Sequence, residues 1–151
     1  MRLILTAAAL ATIPLAAIAQ DDPIRNTIEA RQGFYKMLAI NMGTLAGMAK
    51  GDIEYDETGA SLAAANIEAL AGYDLHSLFL EGSASGEVDG TAALPDIWED
   101  MDDFRAKFDG LREAAAGAST AVTGGAGNVG PVVGKLGGAC KACHDDYREK
   151  G

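Results

Sequence analysis

The five residues from Cys140 to His144 constrain the fold of this chain more than any other feature. The pattern Cys-x-x-Cys-His is the attachment signature of c-type haem. On a helix, Cys140 and Cys143 lie one turn apart on one face, and His144 lies four residues after Cys140. Two thiols and one imidazole can therefore reach the same porphyrin. We predict one haem c per chain, thioether-linked to Cys140 and Cys143, with His144 as the axial iron ligand. Because only seven residues follow His144, we expect a sixth ligand to come from upstream or to be absent.

The cysteine pair has two other interpretations, a redox disulfide and half of a zinc site. A redox pair of the thioredoxin type begins a helix after a strand, within a β-α-β pattern that this sequence lacks. A structural zinc site requires four ligands, but the only other histidine is His76 and there is no further cysteine. Haem attachment is therefore the favoured interpretation.

Residues 1–19 have the pattern of a secretory signal peptide. Arg2 provides the basic start, an apolar run extends from Leu3 to Ile18, and Ala17-Ile18-Ala19 forms a small-residue cleavage site. The run is short for a membrane span and contains Pro14. We predict a periplasmic protein with a haem c domain at 20–151 and no membrane insertion once the signal is removed.

The chain is acidic, with a formal net charge of −10 that becomes more negative when Arg2 is removed. This charge argues against nucleic acid and anionic membranes as partners. It would favour basic partner proteins, although acidity also commonly serves solubility.

Apolar spacing predicts a long first helix. Asp22 can cap this helix with Pro23 at its first position, and Gly51 can end it after Lys50. Between them, residues recur at alternating steps of four and three, which is the spacing of a bundle seam. The seam consists of Ile24, Ile28, Arg31, Tyr35, Leu38, Met42 and Leu45.

Three further helices follow. The second predicted helix runs from about Glu57 to Leu80, with Leu62, Ile67 and Leu70 as its main apolar residues, and a Gly- and Ser-rich loop follows from Glu81 to Thr91. Pro95 opens the third helix, whose apolar seam runs from Ile97 to Ala115. A turn at 124–128 then leads to a last helix that carries Val132 and Tyr147. No stretch alternates convincingly with period two, so a sheet is not expected. The fold class is therefore predicted as all-α, an antiparallel four-helix bundle with covalently bound haem between facing helices.

Four glycines precede the cysteines on the last helix, namely Gly130, Gly134, Gly137 and Gly138. Each costs a helix about 1 kcal/mol relative to alanine. Either a porphyrin lies close against this backbone, or the start of the helix is frayed or bent.

Arg31 and Tyr35 are polar residues on the apolar seam of the first helix. A buried, unpaired arginine is very costly, so Arg31 needs an anion, for which a haem propionate is the first candidate, with Gln32 adding a hydrogen bond. Alternatively, Arg31 extends outward and pairs with Glu29 or another acidic neighbour. Tyr35, one turn further along, either stands over the open face of the iron or is an ordinary core tyrosine.

The sequence resembles the cytochrome c prime family, the class II c-type cytochromes of bacterial periplasms, over essentially its whole mature length. The matching segments are Glu29-Ala30-Arg31-Gln32, Ile97-Trp98, Met101-Asp102-Asp103-Phe104, Leu136-Gly137-Gly138 and Cys140-Lys141-Ala142-Cys143-His144-Asp145-Asp146-Tyr147-Arg148.

This resemblance implies a four-helix bundle, usually a homodimer, with His144 as the proximal ligand of a high-spin, five-coordinate haem iron. It places Tyr35 over the distal face, where many members carry leucine, Arg148 near the proximal face and Thr91 near a propionate. We therefore expect a redox-active protein that binds NO and CO and acts in electron transport or NO scavenging.

Two other functions remain open at this stage. Some relatives are low-spin electron carriers with a distal methionine. Met37 points away from the seam and Met42 lies nearly two turns beyond Tyr35, so neither is expected to ligate iron, although Met42 is the nearer candidate. Peroxidase or NO-reductase chemistry needs a distal acid or base, and the only spare histidine, His76, is expected at the surface. The chain is therefore predicted not to be an enzyme, with redox partner proteins unspecified.

Overall fold

The computed structural model describes residues 22–150. The predicted signal peptide at 1–19 lies outside these residues. The described helices are α1 (Pro23–Lys50), α2 (Glu57–Ala71), α3 (Asp96–Glu99), α4 (Met101–Ala115), α5 (Ala118–Ala121) and α6 (Val129–Tyr147), with 3-10 turns at Leu75–Leu78 and Ala126–Asn128. No helix within this part of the chain is long and apolar enough to cross a membrane.

The four long helices form a closed ring of contacts, in which α1 packs against α2, α2 against α4, α4 against α6 and α6 against α1. This arrangement is a four-helix bundle, and the predicted fold class is confirmed. Helix α6, which carries the cysteines, therefore lies between α1 and α4.

Local sequence signals fix both ends of α1. The carboxylate of Asp22 accepts hydrogen bonds from the backbone N–H groups of Ile24 and Arg25, and Pro23 occupies the first turn. At the other end, Gly51 adopts a left-handed φ of 80°, which glycine tolerates without steric cost. The predicted bounds of this helix are correct.

The prediction for the second helix was too long, since α2 ends at Ala71 rather than near Leu80. Gly72 follows Ala71, and glycine disfavours continued helix. Asp74 then forms local hydrogen bonds, because its carboxylate binds His76 Nδ1 and its carbonyl accepts from the Ser77 hydroxyl. Such local bonds compete with the helical pattern and leave a short 3-10 turn there instead.

The predicted third helix is divided in two at Asp100. This residue has a non-helical backbone (φ −136°, ψ 70°), and its side chain accepts a hydrogen bond from the Asp103 backbone N–H. Asp100 thereby ends α3 and caps α4.

The core face of α2 is made of small residues. Ala60, Ala63, Ala64, Ile67 and Ala71 are buried on it, whereas Leu62, predicted as a main apolar residue, is 61% exposed. The alanines follow the helical spacing of one face, from which Leu62 is displaced. Alanine's small size allows α1 to approach closely at this contact.

Replacing Ile67 with alanine tests this assignment of faces. Ile67 is fully buried, so Ile67→Ala should lower the free energy of unfolding by about 2–5 kcal/mol. Thr58→Ala, at an exposed position on the same helix, is the control and should change it by less than about 0.5 kcal/mol. Denaturant titration followed by circular dichroism measures both, and equal losses would contradict the assignment.

Candidate functional site

A cavity of about 650 Å³ lies between α1, α4 and α6. This volume is within the usual range of ligand pockets, about 300–1,000 Å³. Its wall is predominantly apolar. The apolar and aromatic side chains along it include Ile28, Leu38, Met42, Phe79, Ile97, Phe104, Phe108 and Leu111. Burial of these groups around an open space suits a large, planar, apolar ligand.

All eight predicted site residues line this one cavity: Arg31, Gln32, Tyr35, Thr91, Cys140, Cys143, His144 and Arg148. The first three come from α1, Thr91 from the loop after the 3-10 turn, and the rest from α6 and the residue that follows it. Helical spacing is responsible for the grouping within each helix.

Cys140, Cys143 and His144, the three residues of the haem motif, lie on α6 and line the cavity. Cys140 and Cys143 are separate, half-buried thiols. Burial raises the pKa of Cys140 and raises the pKa of Cys143 to about 11. Burial, assisted by the neighbouring charge of Arg148, lowers the pKa of His144. A neutral imidazole is the form that can bind a metal.

Tyr35 faces His144 across the cavity. The two ring centroids are 6.5 Å apart with an interplanar angle of 66°. This distance and inclination lie within the range of an edge-to-face aromatic contact, about 4.5–7 Å, so Tyr35 is the side chain of α1 that lies against the His144 imidazole inside the cavity. Burial raises the pKa of the Tyr35 hydroxyl well above its ordinary value, so the side chain is neutral.

Arg31 is buried at the edge of the cavity, with only 4% of its surface exposed. Nη1 donates to the Ser83 hydroxyl (3.1 Å), and Nη2 donates to the Ser83 carbonyl (3.0 Å) and the Thr91 hydroxyl (3.4 Å). The guanidinium carbon lies 4.5 Å from the Phe79 ring centroid. Arg31 therefore points inward, and the outward alternative toward Glu29 is not observed.

This guanidinium has neutral partners only. No carboxylate within residues 22–150 lies within 4.0 Å of Arg31. Burial lowers its pKa from the ordinary arginine value, although arginine stays charged in proteins. A buried cation with no counter-ion beside an apolar cavity is a ready receptor for an anionic group.

A loop connects this arginine to the end of α6. Gln32 donates to the Gly90 carbonyl (2.6 Å), and the Thr91 hydroxyl accepts from the Ala93 N–H (3.2 Å). Ala93 forms an isolated antiparallel bridge with Arg148. Thus the loop joins α1 to the residue that follows α6, only four positions after His144.

Helix α6 is regular from Val129 onward, so the predicted alternative of a frayed start is not observed. A Cβ placed on Gly130, Gly134, Gly137 or Gly138 would meet no other atom of the described chain within 4 Å. Of these glycines, Gly137 lines the cavity. Glycine there leaves the backbone open to a close-lying ligand.

Sequence reasoning missed several cavity residues, among them Lys36, Phe79 and Lys107. Lys107 lies four residues after Asp103 and shares its helix face, a signal that could have been used. Phe79 follows the 3-10 turn, where no periodic pattern operates.

Among the described lining residues the charged side chains are Arg31, Lys36, Lys107 and Arg148, with no carboxylate. In so acidic a chain, this cavity selects for an anionic ligand.

Two residues considered for the distal position fall in different places. Met42 is half-buried and lines the cavity, whereas Met37 is 49% exposed. The expected surface position of His76 is wrong, because its side chain is only 15% exposed. Its ring packs 6.0 Å from Phe104 and Phe108, behind the cavity wall and outside the cavity itself.

The residues present fit a haem c group. Two thiols and an imidazole share one helix, Tyr35 lies opposite them in the cavity, and the charged side chains among the described lining residues are all basic. Porphyrin macrocycles are planar and apolar, and their propionates are anionic, so each feature has a counterpart in the group.

Comparison with known proteins supports the same conclusion. The family model described as Cytochrome C' matches residues 26–148. Cytochrome c' of Cereibacter sphaeroides is 41% identical over 150 residues, covering 99% of each chain. Among solved structures, a cytochrome c' from Rhodobacter sphaeroides superposes with a TM-score of 0.81 at 40% identity, covering 85% of this chain and 98% of that one. The nitric oxide complex of a variant cytochrome c prime from Alcaligenes xylosoxidans has a TM-score of 0.72 at 26% identity, covering 87% and 98%. The chain therefore belongs to the cytochrome c' family, which implies a covalently bound c-type haem.

Proposed function

We propose that this chain is a periplasmic, redox-active c-type cytochrome that binds NO and CO and serves electron transport or NO scavenging rather than catalysis. Its haem c is thioether-linked to Cys140 and Cys143, and His144 is the sole protein ligand of a five-coordinate, high-spin iron. The group supplies a one-electron redox centre and a free coordination position. The observation that carries the proposal is that one cavity of about 650 Å³ is lined by Cys140, Cys143 and His144, with Tyr35 facing His144.

Tyr35 covers the face opposite His144 without offering a strong metal ligand. Its hydroxyl stays protonated because burial raises its pKa, and a neutral phenol is a weak donor to iron. A small, uncharged diatomic can displace the Tyr35 ring, whereas stable O₂ binding depends more on polar hydrogen-bond donors near the iron. The predominantly apolar wall therefore favours NO and CO, and the Tyr35 hydroxyl, as a hydrogen-bond donor, weakens that preference.

The polar rim of the cavity has a separate role. Arg31 binds one propionate, with Gln32 and Thr91 beside it, and Arg148 lies near the proximal face. Arg31's buried, carboxylate-free position supports this assignment, because a propionate supplies the missing negative charge.

A second function has one observation in its favour. Met42 lines the cavity, and a thioether that reached the iron would make a low-spin, six-coordinate electron carrier. Catalysis of the peroxidase type has less support, because His76 bonds Asp74 (2.9 Å) and lies outside the cavity.

We also propose a homodimer. Ile40 on α1 is 69% exposed, while Met37 on α1 and Leu62 on α2 are 49% and 61% exposed. A hydrogen bond of 3.0 Å between Asn41 and Asn66 joins the same two helices. Met37 and Leu62 each lie one turn from that bond, on opposite sides of it. We call these two residues, with Ile40 beside Asn41, the α1–α2 patch. A second copy of this patch is its self-complementary partner.

The small residues of α1 divide between this patch and the bundle interior. A Cβ on Gly47 would lie 2.6 Å from the Ile53 side chain, so Gly47 packs within the chain. Gly43 has no neighbour of that kind within 4 Å and is exposed, so it is free for a contact between copies.

Absorption and EPR spectra of the purified ferric and ferrous protein test the proposed function. We expect high-spin ferric iron with no methionine-to-iron charge-transfer band. The ferrous protein should form a stable adduct with NO, whereas O₂ should oxidise it without one. A low-spin ferric spectrum would instead support Met42 ligation, and Met42→Leu should then convert the protein to the high-spin form.

Opening the distal face should speed gas binding. A ligand must displace Tyr35, whose burial is worth about 1.5–3 kcal/mol, so Tyr35→Ala should raise the CO association rate by roughly 10–100-fold. Tyr35→Phe retains the ring and is the matched control. Flash photolysis of the CO adduct measures the rates. If both variants bind at the unmodified rate, Tyr35 does not cover the ligand site.

Introducing charge into the α1–α2 patch should dissociate the dimer. Ile40→Glu places a carboxylate against its own copy across the two-fold axis, where burial without a partner is costly. Sedimentation velocity should show a monomer for this variant and a dimer for the control Ala106→Glu, which alters an exposed position on α4. A dimer that survives Ile40→Glu would place the interface elsewhere.

A further inference from the structure

A polar cluster joins α4 to α6 beside the haem motif. Tyr147 donates from its hydroxyl to Asp103 Oδ2 (2.6 Å). Lys107 Nζ lies 2.8 Å from Asp146 Oδ2 and 3.5 Å from Asp103 Oδ2. Asp103 and Lys107 belong to α4, and Asp146 and Tyr147 to α6. The lysine is therefore held from two helices at once.

The members of this cluster differ in their exposure to water. The Lys107 side chain is 23% exposed and lines the cavity, whereas the side chains of Asp103 and Asp146 are 46% and 56% exposed and do not line it. Charge–charge interactions are screened strongly through water and weakly through protein. The lysine's charge therefore acts on the cavity more strongly than the two carboxylates do.

Lys107 keeps its charge in this position. The hydrogen bond to Asp146 raises the pKa of Lys107, and the Tyr147 hydroxyl lowers the pKa of Asp103. Lys107 and Cys143 line the same cavity, and Asp146, the partner of Lys107, lies three residues after Cys143, less than one turn along α6. A fixed positive charge thus stands on the cavity wall near Cys143.

We infer that Lys107, anchored by Asp146 and Asp103, raises the reduction potential of the group bound through Cys143 and His144. This inference rests on the proposed function. One-electron reduction, with the electron supplied by an external mediator, adds one negative charge to the site. A nearby cation stabilises the reduced state relative to the oxidised state. The two carboxylates oppose this effect and fix the position of the lysine.

Spectroelectrochemical titration of the haem-loaded protein tests the inference. Lys107→Met should shift the midpoint potential to more negative values. Lys135→Met is the matched control, because Lys135 also links α6 to α4, by donating to the Glu113 carbonyl (3.1 Å), but lies outside the cavity lining. The control removes the same formal charge and should shift the potential much less.

A second variant should shift the midpoint potential in the opposite direction. Asp146→Asn keeps an amide oxygen that can accept from Lys107 and removes one negative charge, so it should shift the midpoint potential to more positive values, with Glu113→Gln as the control for an exposed carboxylate. A cluster that only holds the helices together would lower the melting temperature in both Lys107→Met and Asp146→Asn without opposed shifts in potential.

The outcomes separate this inference from the proposed function. If Lys107→Met moves the potential no further than Lys135→Met, or if Asp146→Asn moves it in the same direction as Lys107→Met, the assignment of Lys107 is wrong while reversible one-electron redox stands. If the unmodified protein shows no reversible c-type haem couple, the proposed function fails and the assignment of Lys107 fails with it.

Discussion

An apolar cavity of about 650 Å³ between α1, α4 and α6 brings the site residues together. Tyr35 on α1 and His144 on α6 meet in this cavity, with ring centroids 6.5 Å apart. Burial of roughly 500 Å² of apolar porphyrin at about 25 cal/mol per Å² is worth on the order of 10 kcal/mol. That is comparable with the net stability of an ordinary domain, about 5–15 kcal/mol, so we expect the bundle and its haem to be one folding unit.

The net charge of the whole chain and the charge of the cavity wall have opposite signs. The chain as a whole is strongly acidic, yet the charged residues along the described cavity wall are basic. Arg31 is the most buried of them, and Ser83 and Thr91 supply only neutral acceptors. The loop that carries these acceptors continues to Ala93 and its bridge with Arg148. The anion-binding edge and the helix that bears His144 are therefore joined through one continuous stretch of backbone, and movement at either end is resisted by the other.

The sequence was most informative where short-range chemistry decides the structure. The cap of α1, its terminating glycine, the bundle class and the haem motif follow from spacing and motif, whereas Thr91 and Arg148 were expected only from the resemblance to the family. It was least informative where tertiary context decides. On α2 the buried face is formed by alanines and Ile67, and the larger Leu62 is exposed. The helix break at Asp100 depends on one side-chain cap. His76 is hydrogen-bonded to Asp74 and packs against Phe104 and Phe108. The spacing of Lys107 from Asp103 indicates their pairing on α4, but the contact with Asp146 on α6 could not be predicted from one helix.

A crystal structure of the haem-loaded ferric protein tests the proposed placement of the haem. We expect His144 Nε2 bonded to the iron, the Tyr35 ring covering the opposite face without bonding, and the Arg31 guanidinium within hydrogen-bond distance of a propionate. A Met42 sulfur on the iron, or propionates directed into solvent with Arg31 bonded only to Ser83 and Thr91, would contradict it.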